Sequence, residues 1–375
     1  MNDAAVIRPE ARAAFARWPL PEGLDTPAVV VDLPTMEGNI RRMATALAER
    51  GVGFRPHTKT HKCVEIARRQ LDAGADGITT ATIGEAEVFA AAGIRDIFIA
   101  YPVWPSSPKA RRLAALAERC RLRVGIDSAA AAAPLGDVAR GLEVLIEVDS
   151  GEGRTGVPDA GAAADVAGAA RAHGLNVVGV FTHGGHSYRS PGATGEAADD
   201  EVRSLLTAAE ALRADGHDVQ VLSSGSTPTA IASARDGVTE ERPGTFVFGD
   251  RQQTALGAVR PEDVAMAVAA TVVSVSASPR RFVVDAGAKV LSKDGPPTVA
   301  GFGAVPTYPD AVVTRTFDHH GIVEIGAGER PSAGEVVTVV PNHACPVVNL
   351  ADELVIVEDG KIVDRWPVDA RCRNR

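Results

Sequence analysis

A dense cluster of cationic side chains occupies residues 55–62, where the sequence reads Arg-Pro-His-Thr-Lys-Thr-His-Lys. Lys59 stands within it, and neighbouring cations lower the pKa of a lysine and make its amine a usable nucleophile. Such an amine forms a Schiff base with an aldehyde cofactor or with a carbonyl substrate. A solvated basic loop at the end of a strand explains the same residues, so both interpretations stay open for this cluster alone.

Two histidines and a tyrosine follow at His183, His186 and Tyr188, beside a pair of glycines. Imidazoles titrate near neutral pH, so His183 and His186 are candidates for a catalytic acid or base. A histidine with a purely structural role accounts easily for one of them and less easily for both.

The segment Ser223–Thr229 is rich in glycine, serine and threonine and leads into the apolar stretch Ala230–Ala234. Backbone N–H groups and hydroxyls that converge at the start of a helix bind phosphate. Pro243–Thr245 could close the same cradle. These loops favour a phosphorylated ligand beside a reactive lysine.

Two further motifs are weak by themselves. Arg154 lies among three glycines in Gly151–Gly156 and could pair with a cofactor oxygen, although a flexible turn is the simpler explanation. His343 and Cys345 are two positions apart and could both bind one divalent ion, with zinc as the leading choice. Two protein ligands would leave positions for water and substrate. A buried cysteine beside an ordinary histidine is the alternative.

The elements that must position these residues alternate along the first two thirds of the chain. Eight short apolar runs, typical of strands buried on both faces of a parallel sheet, are separated by helical patterns. The runs are Ala28–Asp32, Gly51–Pro56, Gly77–Ala81, Asp96–Tyr101, Leu122–Asp127, Leu142–Asp149, Val177–Thr182 and Asp218–Ser223. The candidate helices are Thr35–Arg50, Ser107–Arg119, Asp159–His173 and Glu201–Asp215. This alternation predicts an α/β fold, a (β/α)8 TIM barrel, with the polar motifs at the C-terminal ends of its strands.

The pattern changes after about residue 260, where strand-like runs continue without helical periodicity. These runs are Val264–Ser276, Arg281–Asp285, Ala311–Phe317, Gly321–Ile325, Glu335–Val340, Leu354–Glu358 and Lys361–Trp366. Asp359-Gly360 between the last two is a strong hairpin signal. We predict a barrel over 26–260 and a second, mostly β domain formed by 1–25 with 261–375, which carries the histidine–cysteine pair.

The composition and charge of the chain argue against several classes of protein. Of the 375 residues 45% are apolar and 23% charged, and the formal net charge is -9. No basic run suggests nucleic acid, no stretch of 18 apolar residues predicts a membrane span, and the first residues lack an apolar signal core. The widely spaced Cys63, Cys120, Cys345 and Cys372 are typical of reduced thiols, so we expect a cytoplasmic protein.

Taken in order, these motifs resemble the D-threonine aldolase and eukaryotic-type D-serine dehydratase family. Its members are fold-type III pyridoxal phosphate enzymes with an alanine-racemase-like N-terminal barrel. The resemblance covers nearly the whole chain through Asp25–Pro27, residues 55–62, Gly151–Gly156, His183–Tyr188, Gly225–Thr229, Pro243–Asp250 and His343–Cys345. It implies that Lys59 carries pyridoxal 5'-phosphate as a Schiff base.

The resemblance also implies roles for the other residues. Arg154 corresponds to an arginine near the cofactor ring, and His343 with Cys345 to a metal pair for zinc, with manganese or magnesium as alternatives. At Phe181 dehydratase relatives often carry a tyrosine, which is a departure. Relatives of this fold are generally homodimers. The remaining positions that match cofactor contacts are Tyr188, Ser226, Thr227, Gly244 and Thr245.

We therefore expect a lyase for small D-3-hydroxy amino acids, foremost a D-serine or D-threonine dehydratase that releases a 2-oxo acid and ammonia. Cys345 favours dehydration, because some aldolases of the family have aspartate there. A D-threonine aldolase, with His183 or His186 as the base, is the alternative. An amino acid racemase with Tyr308, a non-catalytic pyridoxal carrier and a Schiff-base aldolase without pyridoxal are the remaining rivals.

Overall fold

Two β-sheets organise the chain in the computed structural model, which describes residues 19–137, 139–308, 310–326 and 328–375. The first described strand is β1 (Ala28–Asp32), and it belongs to the second sheet. The predicted domain limits stay a prediction, and residues 1–18 of that assignment lie outside the described residues. Across the described ranges, no helix combines the length and apolar character that a membrane span requires.

A closed barrel of parallel strands forms the first sheet. Its strands are β2 (Gly53–Phe54), β3 (Ile78–Thr80), β4 (Asp96–Pro102), β5 (Arg121–Ile126), β6 (Glu143–Glu147), β7 (Asn176–Phe181), β8 (Val221–Ser224) and β9 (Glu240–Glu241). Their order around the barrel is β2-β9-β8-β7-β6-β5-β4-β3, and a bridge between His57 and Thr79 joins the two ends. The prediction of a (β/α)8 barrel is confirmed.

Helices follow and separate the strands of this barrel along the chain. They are α1 (Leu33–Ala48), α2 (Val64–Asp72), α3 (Ile83–Ala91), α4 (Ser107–Ala117), α5 (Ala129–Gly136), α6 (Ala160–Ala172), α7 (Thr194–Ala214), α8 (Ala230–Ser233) and α9 (Arg251–Ala255). The first of them shows why the sequence folds this way: Asp32 caps its N-terminus by accepting from Thr35 N at 3.1 Å, and Met36 and Ile40 on one face are buried.

The second sheet contains nine strands. Besides β1 these are β10 (Met266–Ser278), β11 (Arg281–Val284), β12 (Gly303–Ala304), β13 (Val312–Thr316), β14 (Gly321–Glu324), β15 (Val336–Pro341), β16 (Glu353–Glu358) and β17 (Lys361–Pro367). Six of them close on themselves, because β10 pairs with both β11 and β15. Two short helices, α10 (Ala288–Leu291) and α11 (Ala344–Leu350), interrupt them. Asp359 and Gly360 both have positive φ in the hairpin turn that the sequence predicted.

Two strand assignments from the sequence are wrong. The predicted first barrel strand, Ala28–Asp32, lies in the second sheet between β10 and β16. A run of valines fits either sheet, because it is buried in both. The barrel is completed instead by Glu240–Glu241, which the hydrophobic pattern missed because both residues are charged. The helices Val64–Asp72 and Ile83–Ala91 were also missed.

Charged side chains fill part of the barrel interior. Arg55 Nε donates to Glu240 Oε2 at 2.8 Å, and its Nη1 donates to Asp96 Oδ1 at 2.6 Å. Arg123 Nη1 contacts the same Glu240 oxygen at 3.4 Å. Because each buried charge has an opposite partner, the interior tolerates them. These pairs explain why a charged strand can close the barrel.

Candidate active site

Lys59 lies in a 3-10 turn, Thr58–Thr60, directly after β2 at the C-terminal end of the barrel. Thr58 Oγ1 donates to the Thr79 carbonyl at 3.0 Å, and the Lys59 N–H donates to His57 Nδ1 at 3.4 Å. These two bonds hold the backbone that leads into the lysine. The side chain of Lys59 then points into a cavity at the mouth of the barrel.

Most of the predicted site residues meet in this cavity. Its lining consists of His57, Lys59, Ala100, Glu147, Arg154, Phe181, His183, Tyr188, Gly225, Ser226, Thr227, Arg242, Gly244 and Thr245. Burial lowers the pKa of the Lys59 amine, and the positive charges of Arg154 and Arg242 lower it further, against the opposing effect of Cys345. A larger neutral fraction of the amine makes Lys59 a better nucleophile.

Two glycines shape a cradle on one wall of the cavity. Gly225 has a φ of +153°, and a Cβ there would lie 2.7 Å from the backbone nitrogen of Arg242. A Cβ at Gly244 would lie 2.9 Å from Thr60 Oγ1. Any larger side chain would therefore push apart the loops that bound the cavity.

The cradle presents unused donors. Among the described residues, none accepts a hydrogen bond from the backbone N–H groups of Ser226, Thr227 and Gly244. Hydroxyls stand beside them, since Ser226 Oγ lies 2.8 Å from Thr229 Oγ1 and Thr227 Oγ1 accepts from Phe246 N at 3.1 Å. Convergent N–H groups and hydroxyls fit the phosphate of pyridoxal phosphate, and the amine of Lys59 fits its aldehyde.

The structure separates the two candidate histidines. His183 lines the cavity, with Nδ1 2.7 Å from the Gly225 carbonyl, and burial lowers its pKa to about 3. Its imidazole is therefore neutral at physiological pH. His186 does not line the cavity, because it turns towards Asp200, whose Oδ2 lies 3.3 Å from His186 Nε2. Of the two imidazoles, that of His183 is therefore the one that a ligand in the cavity would contact.

Aromatic and cationic side chains form another part of the cavity wall. Phe181 is buried edge-on against Phe98, with 5.1 Å between ring centroids, and the guanidinium of Arg242 lies 5.4 Å from the Phe181 ring. At this departure from the family pattern the ring packs and offers no hydroxyl. Tyr188 stands across the cavity, and its hydroxyl accepts a weak 3.4 Å bond from Gln253 Nε2.

Sequence reasoning missed Arg242 and Glu147. Arg242 follows β9 and is held by the Ser223 hydroxyl and the Thr182 carbonyl. It precedes Pro243–Thr245 directly, so recognition of β9 would have placed it at a strand end. Glu147 ends β6, and burial raises the pKa of its carboxyl to about 7. Its Oε2 is buried and finds no partner among the described residues.

The predicted metal pair approaches the lysine turn from the second domain. Cys345 Sγ lies 3.3 Å from Thr60 Oγ1 and 3.9 Å from Thr245 Oγ1, so the thiol contacts the lysine turn and one residue of the cavity lining. The pair sits at the start of α11, after β15, where the Ala344 N–H donates to Asp250 Oδ2 at 2.9 Å. His343 and Lys59 together overcome the effect of burial and lower the pKa of the Cys345 thiol.

Imidazole nitrogen and thiolate sulfur are the ligands that zinc and other borderline divalent ions prefer, so this donor set fits a metal. Within the described ranges, no group of three histidine, cysteine or carboxylate side chains could hold a metal ion. The pair thus offers two protein ligands.

Comparisons with known proteins follow the same division of the chain. The family model for the alanine racemase N-terminal domain matches residues 31–252, and that for a putative serine dehydratase domain matches 265–357. D-threo-3-hydroxyaspartate dehydratase from Delftia sp. strain HT23 is 39% identical over 86% of this chain and 91% of its own length. D-threonine aldolase from an Arthrobacter species is 35% identical over 94% of each chain.

The chain belongs to the family of pyridoxal phosphate-dependent lyases that contains D-threonine aldolase and D-threo-3-hydroxyaspartate dehydratase. It is therefore an enzyme of this lyase family. The solved Delftia dehydratase shares its fold with a TM-score of 0.85 and 36% identity, over 92% of this chain and 97% of that one.

Two solved variants of a D-threo-3-hydroxyaspartate dehydratase concern the same two residue types. One of these variants has a cysteine replaced by alanine and is in the metal-free form. Another has a histidine replaced by alanine, two positions earlier in its chain. His343 and Cys345 have the same order and spacing here.

Proposed function

We propose that this enzyme is a metal-dependent dehydratase that converts small D-3-hydroxy amino acids to a 2-oxo acid and ammonia. The contact of 3.3 Å between Cys345 Sγ and Thr60 Oγ1 carries the proposal, because it brings the metal pair next to the lysine turn. A reactive amine and a Lewis-acid site that stand beside each other can act on neighbouring carbons of one substrate.

Each group has a proposed task. Lys59 Nζ holds the cofactor and removes the α-proton of the substrate, while Ser226, Thr227, Gly244 and Thr245 hold the phosphate. Arg154 and Tyr188 border the ring of the cofactor. Bound pyridoxal phosphate supplies an electron sink for the charge that develops at the α-carbon. His343 and Cys345 would hold the ion, which supplies a Lewis acid for the leaving 3-hydroxyl.

We propose zinc as that ion, because sulfur and nitrogen ligands favour it over manganese or magnesium. The dehydration balances without an external oxidant. The substrate loses its α-proton and its 3-hydroxide as water, and the resulting enamine is hydrolysed to the 2-oxo acid and ammonia.

Incubation with D-serine, D-threonine and D-threo-3-hydroxyaspartate, with and without a chelator, tests this function. We expect 2-oxo acid and ammonia from at least one of them, a loss of turnover in chelator, and recovery on addition of zinc. The L-isomers serve as controls. Turnover unaffected by chelator would contradict the metal role, and inertness towards all three would contradict the proposal.

Retro-aldol cleavage to glycine and an aldehyde is the second candidate, favoured by the similarity to D-threonine aldolase over 94% of each chain. His183 would then be the base at the 3-hydroxyl, because its neutral imidazole lines the cavity. Glycine in the same assay, in place of 2-oxo acid, would assign this branch.

A racemase is less well supported. Tyr308 would have to supply a second catalytic group, yet its hydroxyl donates to Glu335 and its ring packs against Phe282 at 6.0 Å between centroids. It does not line the cavity of Lys59. Formation of the L-isomer from a D-amino acid would instead support the racemase alternative.

We further propose a cytoplasmic homodimer. All four cysteines are free thiols in the structure, which is typical of a reducing compartment. Light scattering of the purified protein would test the dimer, and a monomer mass at working concentration would refute it.

A further inference from the structure

The loop between α10 and β12 brings a carboxylate against the proposed metal ligand His343. Asp294 Oδ2 lies 2.5 Å from His343 Nδ1, although the two residues are 49 positions apart in the chain. A carboxylate only accepts hydrogen bonds, so this contact places the proton on Nδ1. The lone pair of the neutral ring is then on Nε2.

Cys345 stands two positions after His343 at the start of α11, and the two side chains interact. With Nδ1 directed to Asp294, Nε2 is the nitrogen left for an ion that Cys345 shares. A carboxylate that holds the far nitrogen of a metal-binding histidine fixes both its tautomer and its orientation.

The Asp294 loop is itself anchored to the residue before the histidine. Asn342 is buried, and its Nδ2 donates to the carbonyls of Asp294 at 3.2 Å and Gly301 at 2.6 Å. Its Oδ1 accepts from the buried Arg251. These bonds tie the strand end that carries His343 to the loop that carries Asp294.

We propose that Asp294 is a positioning residue that prepares His343 to bind the metal through Nε2. This inference rests on the proposed metal-dependent function. Asp294 does not line the cavity of Lys59, so its removal leaves the cofactor site intact and weakens the metal site alone.

Metal affinity of three variants tests the proposal, with the pyridoxal-loaded protein dialysed against buffered zinc. We expect Asp294→Ala to bind zinc about 10–100-fold more weakly than the wild type, the usual effect of losing such a partner. Asp294→Asn can still accept from Nδ1 through its amide oxygen, so it should recover much of the affinity. Asp318→Asn removes an exposed carboxylate whose ion pair is with Lys289, and should bind as the wild type does.

The same variants separate positioning from chemistry. Turnover of Asp294→Ala should need more zinc for half-saturation and should approach wild-type kcat at high zinc, with an unchanged pyridoxal absorbance. Wild-type zinc affinity in Asp294→Ala, or a lower kcat that excess zinc does not restore, would overturn the proposal. A wild-type protein that binds no zinc would instead refute the proposed function itself.

Discussion

At the scale of single residues, the cavity combines an excess of cations with one buried acid. Lys59, Arg154 and Arg242 contribute positive charge, and Glu147 is the carboxyl that lines the cavity with them. Burial raises the pKa of Glu147 to about 7, because the two arginines and Thr155 offset only part of its desolvation. In the cofactor-free protein, Glu147 therefore carries its proton over part of the physiological range.

This shift has a consequence for stability. Between its ordinary value of 4.5 and about 7, Glu147 binds its proton more tightly in the folded than in the unfolded chain. Its contribution to stability is therefore present below pH 4.5 and is lost as the pH rises to 7. The free energy of unfolding of cofactor-free Glu147→Gln can be compared with that of the wild type at each pH. We expect this difference to be about 3 kcal/mol more favourable to the variant at pH 8 than at pH 4.5.

Urea unfolding of both proteins at the two pH values measures this difference, since pH effects elsewhere cancel between them. Glu118→Gln, at an exposed position, is the control and should show no such change. If the free energies of unfolding of the wild type and Glu147→Gln differed by the same amount at both pH values, Glu147 would be ionised in the folded protein.

At the scale of elements, helix α7 joins two of the loops that line the cavity. Glu201 on its buried face accepts from the N–H of Gly184 at 2.8 Å and of Gly225 at 3.2 Å. One of these glycines follows His183 and the other precedes Ser226. The carboxylate thus holds the histidine loop and the phosphate cradle in one arrangement.

Loss of this link should weaken cofactor binding. We expect Glu201→Ala to leave two buried N–H groups unpaired, lower the stability by about 1–3 kcal/mol and reduce the affinity for pyridoxal phosphate. Titration of the cofactor-free protein, followed by visible absorbance, measures the affinity. Glu201→Gln should retain more of it, and Glu210→Ala on the exposed face of the helix should retain all of it. Unchanged affinity in Glu201→Ala would refute this role.

The same elements show what the sequence could predict. Val/Ile runs and polar strand ends located seven of the eight barrel strands and the loops around Lys59, His183 and Ser226, because apolar periodicity reports burial directly. The strand Glu240–Glu241 was missed, because Glu240 is buried by ion pairs with the distant Arg55 and Arg123, and Glu241 accepts a hydrogen bond from Ser233 Oγ. Asp294 escaped for a related reason, since only tertiary structure brings it to His343.

At the scale of the whole molecule, the site depends on the docking of two architectures. The barrel supplies Lys59 and the proposed phosphate cradle, and the mostly β domain supplies the proposed metal ligands His343 and Cys345. A second bridge supports this docking, because the buried Lys62 pairs with Glu85 at 3.0 Å and donates to Asn349 at 2.8 Å. Lys59 and Lys62 are therefore neighbouring lysines with different tasks, one facing the cavity and one joining the domains.

Peptide mapping after borohydride reduction tests the central claim most directly, because reduction makes the bond between a lysine and pyridoxal phosphate permanent. The protein as purified would be reduced, digested and sequenced by mass spectrometry. We predict the pyridoxyl phosphate group on Lys59, with Lys62 unmodified in the same peptide. A modification on Lys62 or on another lysine, or its absence from protein supplied with the cofactor, would contradict the account.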